Sequence, residues 1–267
     1  MAIITISRGS FSQGKAVAEE VAQKLGYASV SREILIKASK EFNIPEIKLA
    51  QAIHDAPSFW ERFSSGRERY VAHIESTLLE YFQKDNVVYH GLAGQFFVEE
   101  IPHVLKVRIV ADLEDRIATE MARQHISREQ ALKQLQDDDY DRQQWSLRLY
   151  GMDTRNPQLY DMMLHIQKLT VADAVEIICH AVKSGCFATT PASQQALDNL
   201  ALAAKVKAKI VAKYPSVTAT AQEGRVLVHV KAAGVLGPAV EAEIKDLTRE
   251  IPGLQEIKVH VIPLTMF

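Results

Sequence analysis

Apolar residues recur along this chain in two rhythms. Short runs dominated by apolar residues at 3–6, 87–90, 104–111 and 162–166 read as strands, the first of them β-rich and expected to be buried. Between them the apolar positions space out to three and four residues. Val17, Ala18, Val21, Ala22 and Leu25 fall on one helical face, and Gly26 follows as a C-terminal cap. Further helices are predicted over residues 32–42 and 47–54, on either side of Pro45. Another covers 67–84, where Val71, Ile74, Leu78, Leu79 and Phe82 make the apolar stripe. Residues 113–124 form one more. Ser127 opens the next, with Gln130 three residues on as a capping box, and Thr170 and Asp173 cap a helix ending near Lys183. The stretch 137–157 is polar, rich in charge and aromatics, and reads as a mobile flap or lid. Strands alternating with helices predict an α/β fold, a parallel sheet with helices on both faces.

The rhythm changes after residue 183. The segment SGCFATTPAS, residues 184–193, is small, polar and interrupted by Pro191, which makes it the domain boundary the composition favours. Beyond it a helix over 197–213 precedes a strand over 217–222. A turn at Glu223-Gly224 leads to alternating Val226, Val228 and Val230. A second helix over 238–250 leads into Ile257, Val259 and Val261. This order of helix, hairpin, helix and strand predicts a small α+β unit. The expected division is residues 1–186, a linker at 187–193, and residues 194–267.

Composition narrows the functional classes. The 267 residues are 47% hydrophobic and 24% charged, as in ordinary globular proteins, and leave room for one large or two modest domains. A net charge of -2 gives no global basicity for a nucleic-acid partner. Cys179 and Cys186 form neither a disulfide framework nor a metal knuckle, and the histidines show no metal-ligand spacing, so no protein-held metal is expected. The first residues have neither a basic lead nor a long apolar core, and no stretch approaches the ~18 apolar residues of a membrane span. These features together predict a cytoplasmic protein.

The candidate chemistry lies between the first strand and the first helix. Gly9, Ser10, Ser12, Gln13, Gly14, Lys15 and Ala16 have the spacing of a phosphate-binding loop in the context such a loop requires. Glycines let the backbone wrap a phosphate, and loop amides and the helix N-terminus supply positive potential. Lys15 is positioned to reach terminal phosphates as a point charge, and Ser10 and Ser12 to donate hydrogen bonds. The alternative is a Gly-rich strand–helix turn with a solvated lysine. A hydroxyl after the lysine ordinarily holds Mg²⁺, and here the next two residues are Ala16 and Val17. Mg²⁺ stays open as a companion of a nucleotide, with Asp137-Asp138-Asp139 able to attract it, against the alternative of an acidic lid hinge in solvent. His90 and His165 follow strands and are candidates to line the ligand crevice.

The opening ITISRGSFSQGKAVAEEVAQKLG with SREIL resembles that of the cytidylate kinase-like family, a branch of the nucleoside monophosphate kinases. The resemblance continues in NVVYHGLAGQFF, VLKVRIVADLEDRIATEMARQHIS, DDDYDRQQWSLRLYG and NPQLYDMMLHIQKLTVADAV, and so spans nearly all of residues 1–183. It implies that ATP or another nucleoside triphosphate is the cofactor, that Lys15 contacts its phosphates and that Arg116 lies beside its base. It also implies that Arg142, with Asp139 in the lid motif, closes on the transferring phosphoryl group. Lys15, Arg116 and Arg142 are thus the expected catalytic residues. Several positions depart from the family pattern: Ala16 and Val17, Leu92-Ala93 where an acceptor-binding Gly-Arg is usual, and Asp141 where a second basic residue is common. The tail, through KVKAKI, GRVLVHV and IPGLQEIKVHVIP, resembles a BON domain, which implies a phospholipid surface or small ligand as partner. Lys205, Lys209 and Lys213 on one helical face are the candidate contact, against the alternative of a solvated lysine stripe.

Two functional readings follow. One is an enzyme moving a phosphoryl group from ATP to a nucleotide other than CMP. The other is a catalytically degenerate nucleotide sensor or partner-binding protein that reports through its tail.

Overall fold

A computed structural model of the chain describes residues 2–9, 12–42, 66–91, 94–232 and 237–263. Ser10, Leu92, Ala93 and the helix expected over 47–54 lie outside the described residues. The N-terminal part alternates β1 (Ile3–Arg8), α1 (Gly14–Leu25), β2 (Ala28–Val30), α2 (Arg32–Phe42), α3 (Gly66–Phe82), β3 (Val87–His90), α4 (Gly94–Phe97), β4 (Val104–Ala111), α5 (Leu113–Gln124), α6 (Arg128–Tyr150), β5 (Met162–Ile166) and α7 (Val171–Lys183). The five strands are parallel and lie in the order β2-β3-β1-β4-β5. Strand alternation splits β1 between two cores. Ile3 joins Leu78, Phe82, Val87, Tyr89 and Val104 on one face of the sheet. Ile4 and Ile6 join Val17, Val21, Leu105, Val107, Ile109 and Ile178 on the other.

Local signals set the helix ends. Gly26 takes the left-handed conformation with φ 69°, and its N–H closes α1 on Ala22 and Gln23. The capping boxes at Ser127 and Thr170 both form. Much of the stretch expected as a flap or lid is helical. Residues 137–150 continue α6, a 23-residue helix whose first half buries Ala131 and Leu135 against Ile117. Polar from 137 to 144 but for Tyr140, the segment lacks the periodicity that marks a helix in sequence.

The C-terminal part runs α8 (Pro191–Ile210), β6 (Thr218–Gln222), β7 (Arg225–Ala232), α9 (Gly237–Thr248) and β8 (Glu256–Pro263). β6 and β7 form a hairpin closed by Glu223 and Gly224, both at positive φ, and β8 adds parallel to β7. α8 starts at Pro191 rather than near residue 197. Thr190 caps it with Ser193, and proline suits the first helical position, where no N–H is needed. The helix contributes to two cores at once. Leu197, Ala201 and Ala204 sit in the first core, against α3 and the sheet. Val206 and Ile210 join Val226, Val228 and Val230 of the small mixed sheet and Ile244 of α9, with Ala72 of α3 among them. Lys207 to Glu75 at 2.9 Å and Gln83 to Asp198 at 2.9 Å add polar links along the same seam.

Candidate functional site

The chain passes from β1 to β2 and β3 on one side of the sheet, then crosses to β4 and β5 on the other. The carboxyl ends of the strands at such a reversal frame a crevice. Here it is a cavity of about 590 Å³. The strand ends supply Ser7, Arg8, Gly9 and Arg108, the start of α5 supplies Arg116, and α6 supplies Asp139 and Arg142. Thr154 and Arg155, from the loop after α6, complete the wall. Five arginines face a single carboxylate around this space.

Each arginine is held differently. The stem of Arg8 lies across Gly14, so close that a Cβ there would stand 2.8 Å from Arg8 Cβ. Its Nη1 is 3.1 Å from His90 Nδ1. Arginine only donates, so His90 accepts at Nδ1 and carries its proton on Nε2. His90 is thus buried behind Arg8 and holds it, as part of the site's support. Arg108 is 8% exposed, and its Nη1 donates to Ser7 Oγ at 3.2 Å and to the Tyr160 hydroxyl at 3.3 Å. That phenol donates in turn to the Thr154 carbonyl at 2.8 Å. Arg116 donates to Asp139 at 2.7 Å, and Arg155 grips Asp153 at 2.7 Å, outside the cavity lining. Arg155 and its neighbours hold the Asp153 carboxyl down at about 2. Arg8, Arg108 and Arg142 pair with no carboxylate among the described residues.

The electrostatics register this crowding. Burial lowers the pKa of Arg8, and Arg142 lowers it further. Burial likewise lowers that of Arg142. Asp138 and Asp139 oppose the shift, and Arg108 and Arg116 add to it. Guanidinium stays protonated at neutral pH, so the cavity holds its positive charge in reserve for an anion.

The loop residues occupy several environments. Gly9 lies beside Arg116, whose Cζ would stand 3.8 Å from a Cβ at that position. Ser12 is buried, with its hydroxyl 3.0 Å from the Gly9 carbonyl and 3.1 Å from that of Ile109. The hydroxyl therefore staples the loop to β4. Gln13 adopts φ 60° at the N-cap of α1, and Gly14 is buried under Arg8. Lys15 projects from α1 with its side chain 66% exposed and lies 3.6 Å from Glu19. It is not among the residues lining the cavity. Ala16 is half-buried, and Val17 is fully buried in the core below the sheet. Of the expected residues, the cavity brings together Gly9, Arg116 and Arg142. His165 instead pairs with Asp112 at 3.0 Å, away from the cavity.

The residue 3–168 segment matches the family model described as "Cytidylate kinase-like family", well over half of the chain. The chain belongs to the cytidylate kinase-like family. That membership carries P-loop kinase character in the general sense of the nucleoside monophosphate kinase superfamily. Among solved structures, an uncharacterized protein from Eubacterium ventriosum superposes with a TM-score of 0.54 at 18% identity, over 69% of this chain and 99% of that one. Such a likeness speaks to the fold. TT1252 from Thermus thermophilus gives 0.44 at 15% identity, over 68% of this chain and 96% of that one. A shikimate kinase from Bacteroides thetaiotaomicron gives 0.43 at 10%, over 68% and 98%. No curated protein matches the chain.

Family membership brings a magnesium-bound nucleotide into question, and this chain's side chains fit its two components unequally. The arginine-lined cavity suits a polyanion. The positions that would hold magnesium do not suit the ion. Ala16 has no hydroxyl, Val17 faces the core, and the Asp139 carboxylate is engaged by Arg116. Among the described residues there is no group of three or more His, Cys, Asp or Glu side chains able to hold a metal.

In the C-terminal part, Lys213 is hydrogen-bonded to Glu243, and Lys205 and Lys209 share a shallow groove with Glu41, Asp246 and Glu250. The lysine face is thus interleaved with carboxylates. No helix among the described residues is long and apolar enough to cross a membrane.

Proposed function

We propose that the chain binds a nucleoside triphosphate such as ATP in the arginine-lined cavity and transfers a phosphoryl group to a nucleotide other than CMP. The observation that carries this reading is the convergence of Arg8, Arg108, Arg116, Arg142 and Arg155 on one space at the carboxyl ends of β1, β4 and β5. Phosphoryl transfer is accelerated chiefly by positioning and by neutralising charge spread over the phosphate oxygens, and fixed guanidinium groups supply both. Arg142 sits on the long helix α6, so closure of that helix over the cavity would bring it onto the transferring group. The test is calorimetric titration of ATP into wild type and Arg142→Ala, followed by a coupled turnover screen across nucleoside monophosphates. Binding lost in the variant, with turnover on at least one acceptor, is expected. Absence of ATP binding by the wild type would refute the reading.

A second reading is favoured by Ala16 and Val17: a nucleotide sensor whose occupancy is passed to the tail through α8. ATP binding with a blank turnover screen would select it. For the tail itself, the BON-like pattern supports a phospholipid or small-ligand partner, which co-sedimentation of the full chain with anionic vesicles tests.

A further inference from the structure

The charge around this cavity is larger than a magnesium-bound ligand needs. Resting on the reading that the cavity takes a nucleoside triphosphate, we propose that this chain binds the bare polyphosphate chain without a divalent cation, and that Arg8, Arg108 and Arg142 supply the charge a metal would otherwise bring. A metal-bound triphosphate presents two fewer negative charges than the free one. Two of the cavity's five arginines, Arg116 and Arg155, are paired with Asp139 and Asp153, while Arg8, Arg108 and Arg142 carry three positive charges with no carboxylate paired to them among the described residues, so the more highly charged free form is the better electrostatic match.

The donor set points the same way. Magnesium requires near-octahedral oxygen coordination, commonly from a hydroxyl or carboxylate beside the phosphates. The methyl of Ala16 stands where the first such hydroxyl would be. A hydroxyl in place of Val17 would face the core among Ile4, Leu105 and Val21. The Asp139 carboxylate is bonded to Arg116 at 2.7 Å, and the Ser7 hydroxyl accepts from Arg108 at 3.2 Å. Guanidinium groups, by contrast, arrive from three directions. Arg8 comes from the end of β1, held by His90, and Arg108 from within β4, held by Ser7 and Tyr160. Arg142 comes from α6. Their planar forks match phosphate oxygens, and none of the three is paired with a carboxylate among the described residues. A chain of three phosphates bridging them relieves the mutual repulsion that Arg8 and Arg142 exert on each other.

The probes are ATP and inorganic triphosphate, each titrated calorimetrically into the full chain in EDTA and again in excess Mg²⁺. The two probes separate a nucleotide from a free polyphosphate as the source of the phosphates. Both are expected to bind in EDTA at least as tightly as in magnesium. Arg142→Met should weaken binding in EDTA about 10- to 100-fold, the loss of one or two charge-assisted hydrogen bonds. Arg142→Lys should recover only part of it, because an ammonium lacks the fork. Arg249→Met, which removes an exposed charge in the tail, should leave binding unchanged. Arg142 lies on a helix face with half-exposed neighbours, so its variants test the proposal even where Arg108→Met fails to fold. Binding that appears only with Mg²⁺ overturns the inference and leaves the proposed function standing. Metal-free binding that Arg142→Met does not weaken overturns the assignment to these arginines. No binding of either probe under either condition overturns the proposed function, and the inference with it.

Discussion

Gly14→Ala tests how the loop and the cavity depend on each other. Gly14 opens α1, and the added methyl would stand 2.8 Å from Arg8 Cβ, 3.0 Å from Cδ and 3.4 Å from Cγ. The first of these atoms cannot swing aside. Arg8 is the last residue of β1, registered against Ile109 of β4, so its Cβ is fixed by the sheet. Either the first turn of α1 moves or the end of β1 does. Overpacking of this kind costs about 1–3 kcal/mol. Alanine over glycine in a helix returns up to about 1 kcal/mol, less in the first turn. The net expectation is a loss of about 1 kcal/mol, a fall in Tm of roughly 2–4 °C for a chain this size. The larger effect is on ligand. Displacing the Arg8 stem breaks its contact with His90 and moves a guanidinium out of the cavity, so triphosphate affinity should fall about tenfold or more. Differential scanning fluorimetry and calorimetric titration read the two effects separately. A Gly14→Ala chain with wild-type Tm and wild-type affinity would refute the argument that Arg8 is positioned by this glycine.

Two further outcomes concern the scaffold. His73 on α3 is buried, and burial, then Arg69 and Lys209, lowers its pKa from the usual 6.5 to about 4. It stays neutral in the folded chain while the unfolded chain takes up a proton. Stability is therefore full above pH 6.5 and is lost as pH falls toward 4, by about 2 kcal/mol at pH 5. Urea unfolding at pH 7 and pH 5 should show that difference shrink in His73→Leu, and an unchanged difference would exclude His73 as its source. Leu197 belongs to the C-terminal helix but is fully buried in the core formed by α3 and the parallel sheet. Leu197→Ala should cost about 2–5 kcal/mol, and a smaller loss in equilibrium unfolding would mean α8 is not part of that core.

Four strands of the parallel sheet were legible because they are short, mostly apolar runs and α1 carries a clean helical stripe, whereas β2, only three residues long at Ala28–Val30, was too short to leave a pattern. The second half of α6 was not legible, because residues 137–144 are polar but for Tyr140, and the Trp145, Leu147, Leu149 and Tyr150 that follow do not fall on one helical face. The start of α8 was hidden by Pro191, a residue that breaks helices everywhere except at their first turn. The site divides in a similar way. Of the cavity-lining arginines, Arg116 and Arg142 stand at positions to which the family motifs give a role. Arg8 and Arg108 carried a weaker signal, a charge ending one apolar strand and a charge inside another, and Arg155 carried none. Their convergence is a product of strand order, which no local window contains. Ser12 shows the reverse error: its type suggested a phosphate donor, but the fold spends its hydroxyl on two carbonyls.

The cost of burying Arg108 supports the proposal that the arginine arrangement serves binding more than stability. Burying a guanidinium without a carboxylate costs several kcal/mol, only partly offset by hydrogen bonds to Ser7 and Tyr160 and by the Tyr160 ring, whose centroid is 5.6 Å away. An apolar residue in β4 would serve the sheet better. A loop that relies on a hydroxyl and magnesium imports its positive charge with the ligand and leaves the empty protein unburdened. A loop with Ala16 and Val17 has to keep that charge permanently, on side chains the fold holds in place at its own expense. On the proposed reading, the arginines without a carboxylate partner among the described residues and the missing hydroxyl belong to one arrangement, in which the empty protein is less stable and an anion binding the cavity would restore the difference.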